Sequence, residues 1–232
     1  METEPPPARQ PHSLRPGRVQ PTHAAQPADL RGSVGRPGLT ARRVNRILDV
    51  VFATLLLGLL AAPMLLIAIL VKLTSRGPVL YTQERTGLGG KPFVMLKFRT
   101  MRIDAEEHTG PAWAKRGDPR RTWAGILLRR LSLDELPQLL NVLQGNMSLV
   151  GPRPERPYFV QKFSQNIPAY NQRHQVLPGI TGWAQINGWR GDSSIEKRLE
   201  YDLYYINHWS VWFNLRILLL TPFRVLVEQN AC

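Results

Sequence analysis

Residues Val50–Val71 read VVFATLLLGLLAAPMLLIAILV, and this stretch decides what kind of fold the chain can adopt. It carries no charged side chain, and about 20 apolar residues is the length at which a helix can cross a bilayer. Pro63 lies near its middle, where it removes a backbone hydrogen bond and crowds the preceding turn, so a kink or break is expected there. The flanks are basic at both ends: Arg42, Arg43 and Arg46 precede the run, and Lys72, Arg76 and Arg85 follow it. Positive charge on both sides is best satisfied if both ends stay cytoplasmic, which describes a re-entrant helix-break-helix hairpin. A single crossing with a proline kink is the competing reading, and the residues weigh the two alike.

Working outward, residues 1–41 are rich in Pro, Arg, Gly and Ala with almost no large apolar side chains, and are expected to form a disordered basic tail. The apolar run starts too late, and lacks the short core and cleavage site, for a secretory signal. The chain of 232 residues has a net charge of +13, which calls for acidic partners: nucleic acid, anionic lipid headgroups or phosphorylated small molecules. Its single cysteine, Cys232, excludes an intramolecular disulfide and a cysteine metal cluster.

Residues 42–76 form the membrane-embedded element, and residues 77–232 read as a catalytic body. Val79–Tyr81 and Phe93–Phe98, separated by the Gly87–Lys91 turn, predict a β-hairpin. Residues Asp104–Arg121 are polar and broken by Gly110-Pro111 and Asp118-Pro119, which predicts a loop. Helical periodicity returns over Trp123–Leu131, Leu136–Leu143, Glu155–Phe163 and Ile195–Ile206. Val211–Val227 is apolar but contains Arg216 and Arg224, which are costly at mid-bilayer. An amphipathic helix in the membrane interface, with Trp209 and Trp212 at headgroup depth, fits this segment; a buried structural helix is the alternative. The fold class is therefore α+β and mostly helical: a monotopic membrane protein with a small hairpin, a broken N-terminal membrane helix and interfacial C-terminal helices.

The chemistry concentrates in Ser132–Pro154, SLDELPQLLNVLQGNMSLVGPRP. Asp134 and Glu135 stand among leucines, and a desolvated carboxylate must be paired, protonated or metal-bound. Ser132-x-x-Glu135 also spells a capping box, in which both acids would merely decorate the first turn of a helix. The two readings are compatible, because a helix N-terminus offers free N–H groups and positive potential to a phosphate.

Five blocks together resemble the bacterial sugar transferase family, the monotopic polyprenyl-phosphate phosphoglycosyl transferases. They are Lys97-Phe98-Arg99-Thr100-Met101, Ser132–Gln138, Gly151-Pro152-Arg153-Pro154, Pro178–Gln185 and Tyr201–Tyr205, and the likeness runs over roughly Arg43–Val227 in the family's order. The resemblance implies an enzyme that moves a sugar 1-phosphate from a UDP-sugar to undecaprenyl phosphate and releases UMP, at the cytoplasmic face of the inner membrane. It implies Asp134 as the attacking acid that becomes a covalent aspartyl-phosphosugar, and Glu135 as its partner in metal coordination or positioning. Mg2+ is the implied cofactor, with Asp134 and Glu135 as its protein ligands. Lys97, Arg129, Arg153 and Asp202 are carried over as substrate-binding residues. The run Asn187–Asp192 looks like that of relatives transferring glucose or galactose 1-phosphate for exopolysaccharide or capsule. Two departures are visible: Ala62-Pro63 replaces the Ser-Pro pair frequent at the membrane break, and the four extra membrane helices of larger relatives are not expected here, which makes this a short form.

Without that resemblance, solvent or membrane-surface exposure for Arg129 and Arg130, and a helix-face ion pair for Asp202, would be the preferred readings. A membrane-tethered protein that binds nucleic acid or anionic lipid without catalysis explains the positive charge, and an inactive scaffold is a third possibility. Neither explains carboxylates beside Arg129 and Arg130, which oppose binding to a phosphate backbone, so no nucleic-acid partner is expected.

Overall fold

A computed structural model describes residues 38–107, 110, 117–191 and 193–227. The expectation of a disordered tail falls mostly on residues outside these. Its boundary shifts, however, because the first helix already begins at Leu39.

Helix α1 (Leu39–Thr74) is continuous through Pro63. It is the one helix among the described residues long and apolar enough to cross a membrane, and only 11 % of its most apolar window is buried inside the protein. Leu55, Leu59, Leu65, Leu66, Ile69 and Leu73 point outward. A face this apolar is stable only against lipid or another apolar surface.

Both flanks of the apolar run are nonetheless tied to the same body. At the N-terminal flank the Asp49 carboxylate accepts hydrogen bonds from Asn45 (3.0 Å), the Ser148 hydroxyl (2.8 Å) and the Leu149 amide (3.0 Å). Arg46 donates to the carbonyls of Val142 (2.5 Å) and Leu143 (2.9 Å), and Asn214 donates to the Asn45 side chain (2.6 Å). At the other flank the buried Arg99 guanidinium donates to the Ser75 carbonyl (2.9 Å) and to the Arg76 carbonyl, while Ile67 and Val71 pack on Phe98 and Leu128. A guanidinium on free helix-terminal carbonyls supplies the acceptors' missing partners.

The predicted hairpin is present, but its first strand runs five residues beyond the expected Val79–Tyr81. Strands β1 (Leu80–Thr86) and β2 (Pro92–Phe98) pair antiparallel, Leu80 opposite Phe98, around a short 3-10 turn at Leu88–Gly90. Helices α2 (Trp123–Arg130) and α3 (Gln138–Gln144) follow, then β3 (Ser148–Val150), α4 (Pro157–Asn166), β4 (Gly179–Thr181), α5 (Trp183–Ile186), α6 (Ile195–Asn207) and α7 (Val211–Val227). Strands β3 and β4 form a second, parallel pair that the sequence reading lacks. Gly151 and Gly179 permit it, since a Cβ on Gly179 would lie 2.0 Å from the Gly151 nitrogen.

The main core gathers Leu139, Val142, Met147, Leu149, Leu203, Tyr205, Ile206 and Ile217 beneath these elements. Trp183 is an aromatic of this packing, within 6.5 Å of the ring centres of Tyr201, Tyr204 and Phe213. Trp209 also packs against the core, whereas Trp212 is 81 % exposed. On α7, Leu219 and Phe223 share Trp212's exposed face together with Arg216, while Asn214 and Ile217 point inward.

Asp49 carries much of the attachment of α1. Replacing it with Ala strands the buried Ser148 hydroxyl and Leu149 amide, at an expected cost of about 3 kcal/mol. Thermal unfolding of the detergent-solubilised protein should show a clearly lowered midpoint, with Asp49→Asn falling between the two.

Candidate active site

The paired acids sit on a single 3-10 turn, Leu133–Glu135, between α2 and α3. The capping box does not form: Ser132 adopts a left-handed conformation (φ 55°) and its side chain makes no cap bond. A left-handed non-glycine residue stores strain of order 1–2 kcal/mol. The tight turn sends consecutive side chains in different directions, and the two acids meet different surroundings.

Glu135 is locked among cations. Lys97, from β2, donates to Oε1 at 2.8 Å, and Arg153 forks onto both carboxylate oxygens, with 3.0 Å to Oε2. Burial alone would push the Glu135 carboxyl up, but Arg153 and Lys97 outweigh it and hold the group well below the usual carboxylate range. Burial opposes the charge of Arg153 as well, yet Glu135 raises its pKa. For Lys97 burial wins and lowers the pKa despite Glu135.

Asp134 is the other kind of carboxylate. It is 6 % exposed, and no hydrogen bond or ion pair to it is found among the described residues. Burial raises its pKa, Lys97 pulls it down, Glu135 pushes it up, and Arg129 and Arg153 again lower it; the net direction is upward. A poorly solvated carboxylate in a field of nearby cations has lone pairs to offer, as a nucleophile needs.

Arg129 reaches this neighbourhood from the last turn of α2. Its Nε donates to the Thr100 hydroxyl at 2.8 Å, and burial, countered by Asp134, lowers its pKa. Helix α2 can approach so closely because of Gly125, where a Cβ would sit 2.1 Å from the Thr100 carbonyl oxygen. Thr122 caps the same helix by accepting from the Gly125 amide at 3.0 Å. Arg130 is exposed, as the simpler reading had it.

Asp202 is 2 % exposed and accepts from Arg173 Nη2 (2.6 Å) and Nε (3.0 Å). Arg173 in turn donates to the Arg153 carbonyl at 2.8 Å. Arg85 donates to the Pro154 carbonyl (3.1 Å), and the Thr86 amide donates to the Glu155 carbonyl (2.9 Å). Glu155 accepts from Arg198 at 2.5 Å. Asp202 is therefore a buried counter-ion of Arg173, which in turn holds the Arg153 carbonyl. Pairings 29 and 43 residues apart leave no local signature, so sequence spacing could not expose Arg173, Arg85, Glu155 or Arg198 as supports.

The residues present admit a divalent ion in one mode. Among the described residues no three His, Cys, Asp or Glu side chains converge. Three of the roughly four acceptor positions of Glu135 are taken by Lys97 and Arg153, which leaves one on Oε2 beside the unpaired Asp134. Two carboxylates completed by phosphate oxygens and water is an arrangement that suits magnesium.

Comparison with known proteins identifies the family of the chain. The model of the bacterial sugar transferase family matches residues 40–228. A UDP-glucose:undecaprenyl-phosphate glucose-1-phosphate transferase of Escherichia coli (strain K12) is 50 % identical over 196 residues, covering 81 % of this chain and 42 % of that protein. A protein of the same description from Caulobacter vibrioides is 47 % identical over 205 residues, with 84 % and 76 % covered. A UDP-N-acetylgalactosamine-undecaprenyl-phosphate N-acetylgalactosaminephosphotransferase of Aeromonas hydrophila is 43 % identical over 190 residues, with 81 % and 45 % covered. The chain thus spans less than half of the Escherichia coli and Aeromonas proteins. It belongs to the bacterial sugar transferase family.

The two acids should have opposite effects on stability. Glu135→Gln leaves Arg153 and Lys97 without their partner and should cost roughly 3 kcal/mol. The raised pKa of Asp134 means that its ionised form is disfavoured by folding, so Asp134→Asn should raise the unfolding midpoint at neutral pH. That gain should fade as pH falls through the raised pKa toward the ordinary carboxylate range. The contribution of Glu135 persists through that range and is lost only as pH drops through its depressed value. Thermal melts of both variants across pH check the signs.

Proposed function

We propose that the chain transfers a hexose 1-phosphate from a UDP-sugar to undecaprenyl phosphate, with Asp134 as the nucleophile. The observation that carries this reading is the division of labour in the acid pair: Glu135 is ion-paired with Lys97 and Arg153, and Asp134 is buried and, among the described residues, without a hydrogen bond beside the same cations. In the first step an Asp134 oxygen attacks the phosphorus that bears the sugar, and the bond from that phosphorus to the bridging oxygen breaks. UMP leaves with the electron pair, and a sugar phosphate remains esterified to Asp134. In the second step an oxygen of the acceptor's phosphate attacks the same phosphorus and the acyl phosphate bond breaks. The products are a lipid-linked diphosphate sugar and the regenerated carboxylate. Neither step requires donor and acceptor to be bound together.

Arg129, Arg153 and Lys97 surround the position where negative charge accumulates. Arg offers a bidentate fork to phosphate and Lys a point charge, and preorganised cations in a poorly solvated site act more strongly than in water. Mg2+, held by Asp134 and Glu135 together with the donor's phosphates, would neutralise part of the diphosphate charge and ease UMP departure. The names of the Escherichia coli and Caulobacter relatives favour glucose as the sugar. The Aeromonas relative shows that an N-acetylhexosamine suits a related framework. The reading of Asn187–Asp192 as a glucose or galactose signature includes Asp192, which lies outside the described residues.

The membrane reading follows from the attachments of α1. Asn45, Arg46 and Asp49 before the apolar run and Ser75 and Arg76 after it bond the same catalytic body, which supports placing both ends of the run on one side of the membrane even though α1 is unbroken at Pro63. This favours the re-entrant arrangement, at the cytoplasmic face where UDP-sugars are available, for assembly of an exopolysaccharide, capsule or O-antigen. The exposed face of α7, Trp212 with Arg216, Leu219 and Phe223, suits the interface between headgroups and acyl chains.

Membranes supplied with UDP-glucose and undecaprenyl phosphate should release UMP in a magnesium-dependent manner, and Asp134→Asn should lower the rate at least roughly a thousandfold. Mass spectrometry of protein quenched with donor alone should find hexose phosphate on the peptide containing Asp134; an adduct elsewhere rejects the assignment. Cysteines introduced near Arg43 and near Arg76 should label from the same side of the membrane, and opposite-side labelling would establish a true crossing.

A further inference from the structure

Lined at one point by Glu135 of the acid pair is a cleft of about 340 Å³ whose other walls have no role in the phosphoryl steps above. Its long walls come from two helices with outward apolar faces: Leu56 and Leu60 of α1, Leu218 and Val225 of α7. Leu136 and Leu139 extend the apolar lining. The same lining includes Ser132 and Glu135 together with the guanidinium-bearing Arg190 and Arg224. Gln185, nine-tenths buried on the same wall, gives its amide nitrogen to the Ile180 carbonyl (3.0 Å) and leaves its oxygen without a hydrogen-bond partner. The Thr181 and Thr221 hydroxyls, 2.9 Å apart, join β4 to α7 along this wall and hold it shut.

We propose that this cleft receives the acceptor: the head-proximal isoprene units of the polyprenyl phosphate lie between α1 and α7, and Arg190 and Arg224 bind its phosphate beside Glu135. The assignment rests on the transferase reading and adds to it the location of the second substrate. A largely apolar slot whose lining also holds two arginines fits an amphiphile with one chain and a phosphate, because each part can meet its own solvent. A UDP-sugar has no apolar part to fill Leu56, Leu60 and Leu218. The membrane helix forms one wall, so the acceptor can enter sideways from the bilayer without leaving hydrocarbon. The cleft reaches Glu135 of the acid turn, which brings the lipid phosphate to the same turn as Asp134. A membrane phospholipid shares the chemistry of apolar chain and phosphate, and the experiment separates the two.

In phosphatidylcholine vesicles containing undecaprenyl phosphate, Leu60→Trp and Leu218→Trp fill the cleft and should raise the KM for the acceptor at least about tenfold. UMP exchange into UDP-glucose, measured without acceptor, reports whether the acid turn is intact in each variant. Leu65→Trp, on the exposed face of α1 away from the cleft, should match the wild type in both assays. Arg224→Ala should raise the acceptor KM without a comparable change in the KM for UDP-glucose. An experiment on the unaltered protein complements these: a diazirine-bearing polyprenyl phosphate should label peptides containing Leu56, Leu60 or Leu218. Excess undecaprenyl phosphate should suppress that label and phosphatidylglycerol should not. An unchanged acceptor KM in both Trp variants, or label confined to other surfaces, overturns the proposal. Label suppressed equally by phosphatidylglycerol assigns the cleft to membrane lipid and also overturns it. Loss of UMP exchange in the wild type would reject the transferase reading itself, an outcome distinct from these.

Discussion

The fork of Arg153 onto Glu135, completed by Lys97, is the interaction on which the site depends. Two adjacent carboxylates in a poorly solvated place repel each other, and left alone one would be protonated. Here the conflict is resolved unequally. Glu135 receives the ion pairs and is fixed as an anion, and Asp134 is left desolvated and free of direct partners. A chemical difference between neighbours in the chain thus arises from which strand and which turn reach them: β2 brings Lys97, and the Gly151–Pro154 turn brings Arg153.

That turn is itself held from below. The carbonyls of Arg153, Pro154 and Glu155 are occupied by Arg173, Arg85 and the Thr86 amide, and Gly179 donates to the Pro152 carbonyl at 3.0 Å. Asp202 and Glu155 neutralise the buried arginines that do this work. The prolines on either side of Arg153 restrict its backbone further. With the carbonyls of four consecutive residues bonded, the Arg153 main chain has little freedom left to lose if the guanidinium binds a phosphate as proposed. Arg99 plays the corresponding part for the membrane helix, closing its C-terminal carbonyls at Ser75 and Arg76.

The sequence made legible those features whose cause is local. The hairpin could be read from Gly87–Lys91 between alternating runs, the helices from periodicity, and the acid turn from carboxylates stranded among leucines. Non-local causes left no such mark. Ser132 and Glu135 have the spacing of a capping box, yet the cap is replaced by a left-handed Ser132 because Glu135 is drawn to Arg153, 18 residues away. Strands β3 and β4 have three residues each, too few for a period, and exist because glycines let two backbones approach. Asp202 looked like a ligand in its motif, and only the tertiary fold reveals Arg173 in front of it. Pro63 predicted an interruption, but helical structure continues through it.

The bond from Asn214 to Asn45 joins residues 169 positions apart, and it has a bearing on how the molecule comes into being. The greasy rod leaves the ribosome early, long before α7 is synthesised. For most of translation the polar residues at its leading end have no protein to grasp, and only water and lipid headgroups can satisfy them. The attachment therefore closes in stages: Arg46 and Asp49 gain their partners once residues 142–149 are made, and Asn45 gains Asn214 only when the last helix arrives. A chain halted ahead of that helix would keep the Asp49 and Arg46 bonds but leave the Asn45 side-chain carbonyl oxygen without its Asn214 donor.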